Sequence, residues 1–386
     1  MRSLDDFASR KLAALDDVRL RRTPVVTARD GIYVERAGRR LISFSCNDYL
    51  NLSRHPTVIK AVVDAAERYG TGAGASRLVT GNHPLHAELE ARLARLKATD
   101  AACVFGSGYL ANTGIIPALA GSDDLILADE LSHACIHAGA KLSGATVKLY
   151  RHADTDHAEA LLLAHRAGHP RALLVTDGVF SMDGDLAPLH DLANVAKRFD
   201  AWLLADDAHG LGVVGGGRGS SFADGNGGPA DVPLQMGTLS KAIGAYGGYL
   251  CASQVVIDLM YTRARTFIYS TGLPPPVVAA AIAALDIVEH DKAYVAEPLR
   301  KARLFARALN LPEPQSAIVP LILGDSDVTM AAARSLEEDG FLVVGIRPPT
   351  VPHGSARLRF AFTAQHPDAE IERLTKSVRH RVMRCP

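Results

Sequence analysis

The sequence predicts an α/β fold built on a mainly parallel sheet. Segments with the period of a helix occur at 57–69, 84–97 and 188–199. They alternate with short apolar runs at 102–105, 125–128, 172–176 and 202–206. Apolar runs without alternating polar residues are typical of strands buried on both faces, as in a parallel sheet covered by helices. Polar residues that follow such strands should line a ligand crevice at the carboxyl edge of the sheet.

The N-terminal segment predicts an arm. Residues 1–23 have the pattern of a basic amphipathic helix, which Pro24 should end. Two short strands should follow, at 31–34 and 40–44, joined by a turn at Ala37–Gly38.

The C-terminal part predicts a smaller domain. A helix should run from the three prolines that end at Pro276 to about residue 290, and three strand-like apolar segments follow it. We therefore expect an N-terminal arm (1–45), a large domain (46–285) and a small α/β domain (286–386).

Composition and charge exclude several classes of function. The 386 residues are 48% hydrophobic, and 42 basic residues balance 42 acidic ones. This balance gives no case for nucleic acid or an anionic membrane as a partner. No apolar run reaches the roughly 20 residues of a membrane span, and we expect no signal peptide. The five cysteines form no CxxC pair. We expect reduced thiols, a cytoplasmic location and no metal site.

One lysine stands among small residues. Lys241 lies in the segment Gly-Thr-Leu-Ser-Lys-Ala-Ile-Gly at 237–244, with no carboxylate nearby in sequence. A lysine that is partly removed from water has a lowered pKa and acts as an amine nucleophile. Its obvious use is a Schiff base with pyridoxal phosphate (PLP). An ordinary lysine in a glycine-rich loop explains the segment about equally well.

Two polar segments follow apolar runs. Asp206 would stand at the carboxyl end of its strand, where it could pair with a pyridinium nitrogen or cap the next turn. His209 could orient that carboxylate or contact the ring substituents. Ser181 could bind a phosphate or a ring hydroxyl, although an acidic turn is the simpler interpretation of its segment.

Two other segments suggest ligand contacts. Gly108 and Tyr109 follow a strand and open a helix, whose N-terminal amides suit a phosphate. His133 and His137 have the spacing of a metal pair, but no third ligand is evident, and His133 also fits a ring stacked on a planar cofactor. The glycine-rich segment 70–75 fails as a dinucleotide loop, because a helical segment precedes it.

Arginines are concentrated late in the chain. Arg is the preferred residue for bidentate carboxylate binding, and Arg347 and Arg359 are candidates. Arg357 and Arg359 should point the same way, because strand residues alternate faces. For Arg357 we expect a solvated side chain.

Taken together, these segments resemble the α-oxoamine synthases, which are fold-type-I PLP-dependent transferases. The resemblance runs from about residue 20 to the C-terminus and rests on the segments at 47–50, 76–81, 131–134, 176–185, 206–210, 237–241 and 346–352. The last of these, Ile-Arg-Pro-Pro-Thr-Val-Pro, resembles the biotin-pathway branch. Tyr109 stands where Phe is expected and Asn51 where Gly is usual, and neither removes a catalytic group.

The resemblance implies a role for each candidate residue. Lys241 would bind PLP and later act as general base, while Asp206 would pair with the pyridine nitrogen. His209 would contact the ring oxygen and His133 would stack on the ring. The remaining ring and phosphate contacts would come from Gly108, Tyr109, Ser181 and Thr238.

For the substrates, the resemblance assigns the amino-acid carboxylate to Arg359. Asn47 and Arg347 would lie close to substrate, and Arg21 or Arg22 would meet a distal acyl carboxylate.

The implied reaction is a decarboxylative condensation of L-alanine with a pimeloyl thioester, carried by CoA or acyl carrier protein, in a cytoplasmic homodimer. The segment around Lys241 also resembles the glycine-using relatives. A sister synthase such as 2-amino-3-ketobutyrate CoA ligase therefore stays open. A PLP-fold protein that binds ligand without catalysis is the alternative from another class.

Overall fold

The computed structural model describes residues 2–18, 20–223 and 228–383. Its strands are β1 (Ala28–Asp30), β2 (Tyr33–Arg36), β3 (Arg39–Ser43), β4 (Ala101–Phe105), β5 (Leu125–Asp129), β6 (Thr146–Tyr150), β7 (Ala172–Asp177), β8 (Trp202–Asp206), β9 (Leu234–Thr238), β10 (Gly248–Ala252), β11 (Ile318–Gly324), β12 (Phe341–Leu342), β13 (Val344–Ile346) and β14 (Ala356–Ala361).

The helices surround these strands. Three of them lie at the predicted helical segments 57–69, 84–97 and 188–199. The helices are α1 (Arg2–Asp17), α2 (Pro56–Tyr69), α3 (Pro84–Lys97), α4 (Gly108–Leu119), α5 (Ala134–Ser143), α6 (Thr155–His165), α7 (Leu189–Arg198), α8 (Gln254–Arg263), α9 (Arg265–Ile268), α10 (Pro275–His290), α11 (Lys292–Leu309), α12 (Ser326–Glu338) and α13 (Asp368–Arg381).

The central sheet has the strand order β4-β10-β9-β8-β7-β5-β6. β10 is antiparallel to both of its neighbours, and the other pairs are parallel. Every residue of β5 and β7 is buried. The predicted α/β fold with a mainly parallel sheet is therefore confirmed.

Helices cover both faces of this sheet. On one face α4, α5 and α8 pack on alternate residues of β4, β5, β7 and β8, such as Phe105 and Leu173. The other face is covered by α2, α3 and α10 near β4 and β10, and by α6 and α7 near β5 and β7. Because both faces are buried, the carboxyl edge of the sheet is where polar side chains can gather.

Two smaller sheets complete the fold. One has the order β1-β2-β3-β12, and its pair β3–β12 is parallel and joins the N-terminal strands to the last hundred residues. The predicted turn between β2 and β3 is confirmed, with positive φ angles of 50° at Ala37 and 73° at Gly38. The other sheet, β11-β14-β13, is antiparallel. It packs with α11, α12 and α13 around Phe305, Phe360 and Phe362.

The N-terminal helix is shorter than predicted. α1 ends at Asp17 rather than at residue 23. Asp16 and Asp17 end it, and carboxylates at a helix C-terminus oppose the helix dipole. The helix also has no buried residue to stabilise further turns. Its apolar side chains Leu4 and Phe7 are 69% and 54% exposed.

Four of the five cysteines, namely Cys46, Cys103, Cys135 and Cys251, are free thiols. The fifth, Cys385, lies outside the described residues. Across the described ranges, no helix combines the length and the apolar character that a bilayer crossing requires.

Candidate active site

A cavity of about 260 Å³ lies at the carboxyl edge of the central sheet. Most of its wall comes from the segments that follow β4, β5, β7, β8 and β9. The cavity is lined by Ser107, Gly108, Tyr109, His133, Cys135, Asp177, Val179, Asp206, Ala208, His209, Met236, Thr238, Ser240 and Lys241. The topology therefore brings together seven of the residues predicted from the sequence: Gly108, Tyr109, His133, Asp206, His209, Thr238 and Lys241.

Lys241 lies in this cavity as a weakened base. Its Nζ is 2.8 Å from Nε2 of His209. Burial lowers the pKa of Lys241 to about 8, with Asp206 and Asp177 opposing the shift and Arg359 adding to it. A sizeable fraction of this amine is therefore neutral near pH 8, as a nucleophile requires.

His209 links Lys241 to the interior. Its Nδ1 is 2.7 Å from the hydroxyl of Tyr49, which in turn accepts a hydrogen bond from Arg359 at 3.3 Å. Burial, and then the positive charges of Lys241 and Arg359, lower the pKa of His209 well below its usual value. The ring is thus neutral, and both of its nitrogens are engaged by Tyr49 and Lys241 rather than by Asp206.

Asp206 ends β8 and is held by two donors. Asn112 donates its side-chain amide to Oδ2 at 2.7 Å, and the backbone N–H of Ala208 donates to Oδ1 at 3.0 Å. The carboxylate is buried. Its plane is therefore fixed at the cavity wall, where it can face a cationic ring nitrogen.

A second carboxylate lies beside it. Asp177 ends β7 and is in register with Asp206 on the neighbouring strand. It accepts the backbone N–H of His133 at 3.1 Å. Burial, and then the charge of Asp206, raise the pKa of Asp177 well above its usual range. The surroundings of Asp177 therefore favour the neutral form of this carboxyl group.

His133 stands at the start of α5 and is exposed to the cavity. Its Nδ1 lies 2.8 Å from Sγ of Cys135 and accepts the backbone N–H of Cys135 at 3.3 Å. Partial burial lowers its pKa, and Lys241 adds to this while Asp206 opposes it. An uncharged imidazole on the cavity wall suits stacking against a planar ring.

The N-terminus of α4 forms another part of the cavity wall. Ser107 caps the helix by accepting the N–H of Leu110 at 3.1 Å. A Cβ at position 108 would lie 3.3 Å from Cβ of Thr238 and 3.4 Å from Cε of Met236. Glycine therefore keeps open a cradle in front of the helix amides, which suits a phosphate. Tyr109 is 52% exposed at its rim.

The loop after β7 is fastened by His152. Its Nδ1 and Nε2 lie 3.2 and 2.9 Å from carboxylate oxygens of Asp129 and Asp185. Although burial opposes it, these two hydrogen bonds raise the pKa of His152 to about 10. The charged imidazolium therefore connects the end of β5, at Asp129, to the loop after β7, at Asp185.

The side chain of Asp207 points into the protein interior and does not line the cavity. Its Oδ2 is 2.6 Å from Nζ of Lys97, and both side chains are buried. Its Oδ1 accepts the N–H of Ser220 at 2.9 Å, and Lys97 also donates to the carbonyl of Arg218 at 2.7 Å. The pair joins α3 to the end of β8.

Arg359 is buried in β14 with uncharged partners. It donates to the carbonyl of Ser181 at 2.6 Å and to Oδ1 of Asn47 at 3.2 Å. Ser181 is itself buried, and it is the backbone carbonyl of Ser181 that contacts Arg359. Arg357 points to the same loop, as predicted, and pairs with Asp183. The expectation that Arg357 is solvated is wrong, since it is 4% exposed.

The other predicted arginines lie elsewhere. Arg21 pairs with Asp16 at 2.8 Å on the surface, and Arg22 donates to Thr350 at 3.4 Å. Arg347 lines a second cavity of about 460 Å³, together with Val18 of the arm. The structure therefore does not bring these three side chains to the cavity that holds Lys241.

Sequence reasoning gave no role to Tyr49, Asn112, Cys135 or Asp177. A signal existed for Asn112, which follows Gly108 by one helical turn and so shares its face of α4. The contacts of Tyr49 and Cys135 depend on packing between distant segments and left no pattern in the sequence.

Residues 39–378 match the model of the family described as aminotransferase class I and II. The chain belongs to this family. Among its relatives is the 8-amino-7-oxononanoate synthase of Beijerinckia indica, 61% identical over 380 residues and 98% of each chain. The enzyme of that name from Methylocella silvestris is 63% identical over 348 residues, covering 90% of this chain and 99% of the relative.

A solved structure that is similar to this chain contains the cofactor PLP. Serine palmitoyltransferase from S. paucimobilis, holding PLP joined to myriocin, is 28% identical and superposes with a TM-score of 0.89 over 98% of each chain. The fold-type-I transferase fold and the resemblance to the α-oxoamine synthases are thereby confirmed, and the chain is a PLP-dependent enzyme.

The residues of the cavity fit this cofactor. Lys241 offers an amine of lowered pKa for an aldehyde, and Asp206 offers a fixed carboxylate for a ring nitrogen. The cradle at Gly108, which a Cβ would narrow, leaves the amides of α4 free for a phosphate. These three features surround one cavity.

Proposed function

We propose that this chain is an 8-amino-7-oxononanoate synthase. It would join L-alanine to a pimeloyl thioester of CoA or acyl carrier protein, with release of carbon dioxide and the free thiol. The observation that carries the proposal is one cavity holding Lys241, Asp206, His209 and His133, in a chain about 60% identical to synthases of that name.

The chain's own residues prepare the amino acid for reaction. PLP, when bound, supplies a ring that accepts the electron pair left at Cα of the amino acid. Lys241 provides the amine that holds the cofactor and, once displaced, the base that takes the Cα proton. Asp206, held by Asn112, keeps the ring nitrogen protonated. His133 would stack on the ring, and His209 would contact its oxygen.

Arg359 is our candidate for the carboxylate of the amino acid. Its hydrogen-bond partners are Ser181, Asn47 and Tyr49, all through uncharged oxygens. Within the described part of the chain, no carboxylate pairs with it. A buried guanidinium without a counter-ion is a strong site for an anionic group. Arg357 differs, because Asp183 neutralises it.

The acyl substrate would lie toward the arm. Arg347 lines the second cavity with His353 and the arm residue Leu20. A cation beside the apolar arm residues Val18 and Leu20 suits the carboxylate at the end of an acyl chain, and Arg21 or Arg22 is a further candidate for the same contact.

We further propose a cytoplasmic homodimer. The exposed apolar face of α1, with Leu4, Phe7, Leu12 and Leu15 between 40% and 69% exposed, supports a second copy as its cover. The free thiols support a reducing compartment. Size-exclusion chromatography with light scattering would measure the molar mass and so test the dimer. A monomer at micromolar concentration would contradict it.

The decisive experiment measures thiol release from pimeloyl-CoA by the PLP-loaded protein, with L-alanine or with glycine. We expect release with alanine and none from Lys241→Ala. Release with glycine alone would move the chain to a sister synthase. No release with either amino acid or with pimeloyl carrier protein, in a protein that binds PLP, would refute the proposal.

A further inference from the structure

One buried thiol connects two groups of the cofactor cavity. Cys135 lies in the first turn of α5 and is 2% exposed. Its Sγ is 2.8 Å from Nδ1 of His133 and 3.1 Å from Nδ2 of Asn112, with Oδ2 of Asp206 at 3.9 Å. No step of the proposed reaction uses a cysteine side chain, so these contacts need another explanation.

The amide of Asn112 sets the direction of the contacts. Its Nδ2 lies 2.7 Å from Asp206 and 3.1 Å from Cys135, so each of its two N–H groups donates to one of them. The reverse amide orientation would place its oxygen against the carboxylate. The orientation seen leaves Oδ1 without a partner among the described residues. The sulfur of Cys135 is thus an acceptor toward Asn112.

The proton of the thiol then has two acceptors within reach, Oδ2 of Asp206 at 3.9 Å and Nδ1 of His133 at 2.8 Å, and the much shorter contact assigns it to His133. Nδ1 of His133 also accepts the backbone N–H of Cys135 at 3.3 Å, so this nitrogen carries a lone pair. Burial, and then the charge of Asp206, raise the pKa of Cys135 to about 12. The thiol keeps its proton at neutral pH and can donate it in a hydrogen bond to Nδ1.

We propose that Cys135 is a positioning residue that holds His133 in the Nε2–H tautomer and, through Asn112, connects that ring to the carboxylate of Asp206. The imidazole then has a fixed plane and a fixed donor at Nε2. The inference rests on the proposed cofactor site, because it concerns the residues that line it.

The first test needs neither cofactor nor substrate. Long-range ¹H–¹⁵N spectra of the apoprotein labelled with ¹⁵N-histidine distinguish the two tautomers, and His133→Gln identifies the signal. We expect the Nε2–H form in the wild type and in Cys135→Ser, whose hydroxyl can donate and accept as the thiol does. In Cys135→Ala we expect a mixture of tautomers. These results do not depend on which reaction the enzyme performs.

The second test measures PLP affinity of the apoprotein by absorbance titration. Cys135→Ala should bind PLP roughly tenfold more weakly, the size expected for a lost buried hydrogen bond. Cys135→Ser should restore the affinity. Cys103→Ala, which removes a buried thiol of β4, is the matched control and should bind as the wild type does.

Three results would overturn the proposal. An Nδ1–H tautomer in the wild type would do so even if Cys135→Ala failed to fold. Wild-type tautomer and affinity in Cys135→Ala would show that the thiol has no such role. A folded Cys135→Ser that restored neither reading would show that sulfur volume, rather than hydrogen bonding, matters.

Discussion

Removal of one oxygen, in Tyr49→Phe, tests how His209 is positioned. The side chain is fully buried, so the ring keeps its place and only the hydroxyl contacts are lost. The hydroxyl lies 2.7 Å from Nδ1 of His209 and 3.3 Å from both Arg359 and Oδ1 of Asn47. Arg359 retains Ser181 and Asn47, so the main loss falls on His209, whose Nδ1 becomes a buried polar atom without a partner.

Such a loss costs about 1–3 kcal/mol. If the whole of this free energy is lost from the stabilisation of the transition state, kcat/KM decreases about 5- to 150-fold, since each factor of ten corresponds to about 1.4 kcal/mol. We expect a decrease near the lower end for alanine and pimeloyl-CoA, mostly in kcat, because Arg359 keeps its other partners. Steady-state thiol release measures it, and thermal unfolding shows whether the variant is folded.

Tyr249→Phe is the matched control. Tyr249 is equally buried in β10, and its hydroxyl has no hydrogen-bond partner in the part of the chain that the structure describes. Its removal should leave kcat/KM within twofold of the wild type. A Tyr49→Phe enzyme that behaved like this control would refute the reasoning, because His209 would then be positioned without the hydroxyl.

Three further predictions concern charge. The rate at which the apoprotein takes up PLP should rise with pH through a midpoint near 8, the lowered pKa of Lys241, and a midpoint above 10 would contradict this. Lys97→Met should lower the free energy of unfolding in urea by about 3–5 kcal/mol, because it leaves Asp207 buried without a counter-ion. Lys60→Met, at an exposed pair, should change it little, and equal effects would refute the contrast. His152→Asn should lower the melting temperature near pH 7. Since the pKa of His152 is raised to about 10, its stabilisation is complete below about pH 6.5 and is lost as pH rises through 10, so the difference between variant and wild type should shrink over that window. A difference that grew with pH would be the contrary result.

The central sheet was predictable where its strands are continuous apolar runs. β5, β7 and β8 are continuous apolar runs, and their positions agree with the prediction to within two residues. β6, β9 and β10 were not predicted. β10 follows directly on the glycine-rich segment around Lys241, whose small residues favour a loop or a ligand-binding segment. β6 is an edge strand with several exposed residues, and β9 contains a glutamine and a glycine, so neither has a continuous apolar pattern.

The site was predictable as far as strand ends and motifs define it. Asp206 follows from its place at a strand end and Lys241 from its unusual surroundings, whereas Thr238 follows only from the family resemblance. The long-range contacts were not predictable, since Tyr49 and Arg359 are 310 positions apart and meet only in the fold. The prediction of a solvated Arg357 failed for the same reason, because its partner Asp183 belongs to another part of the chain.

Two neighbouring aspartates stand at the end of β8 and face different surroundings, Asp206 the cavity and Asp207 the buried Lys97. A slip of one residue in the pairing of β8 would move Asp207 into the place of Asp206, or Asp206 into the place of Asp207, and in each case an alanine would take the other place. In the first case Lys97 would be buried without a counter-ion, and in the second the cavity would lose the carboxylate at the end of β8. A chain that folded with the wrong alignment of β8 would therefore lose either the buried ion pair or the carboxylate that faces the cavity, so the two neighbouring aspartates favour a single strand register.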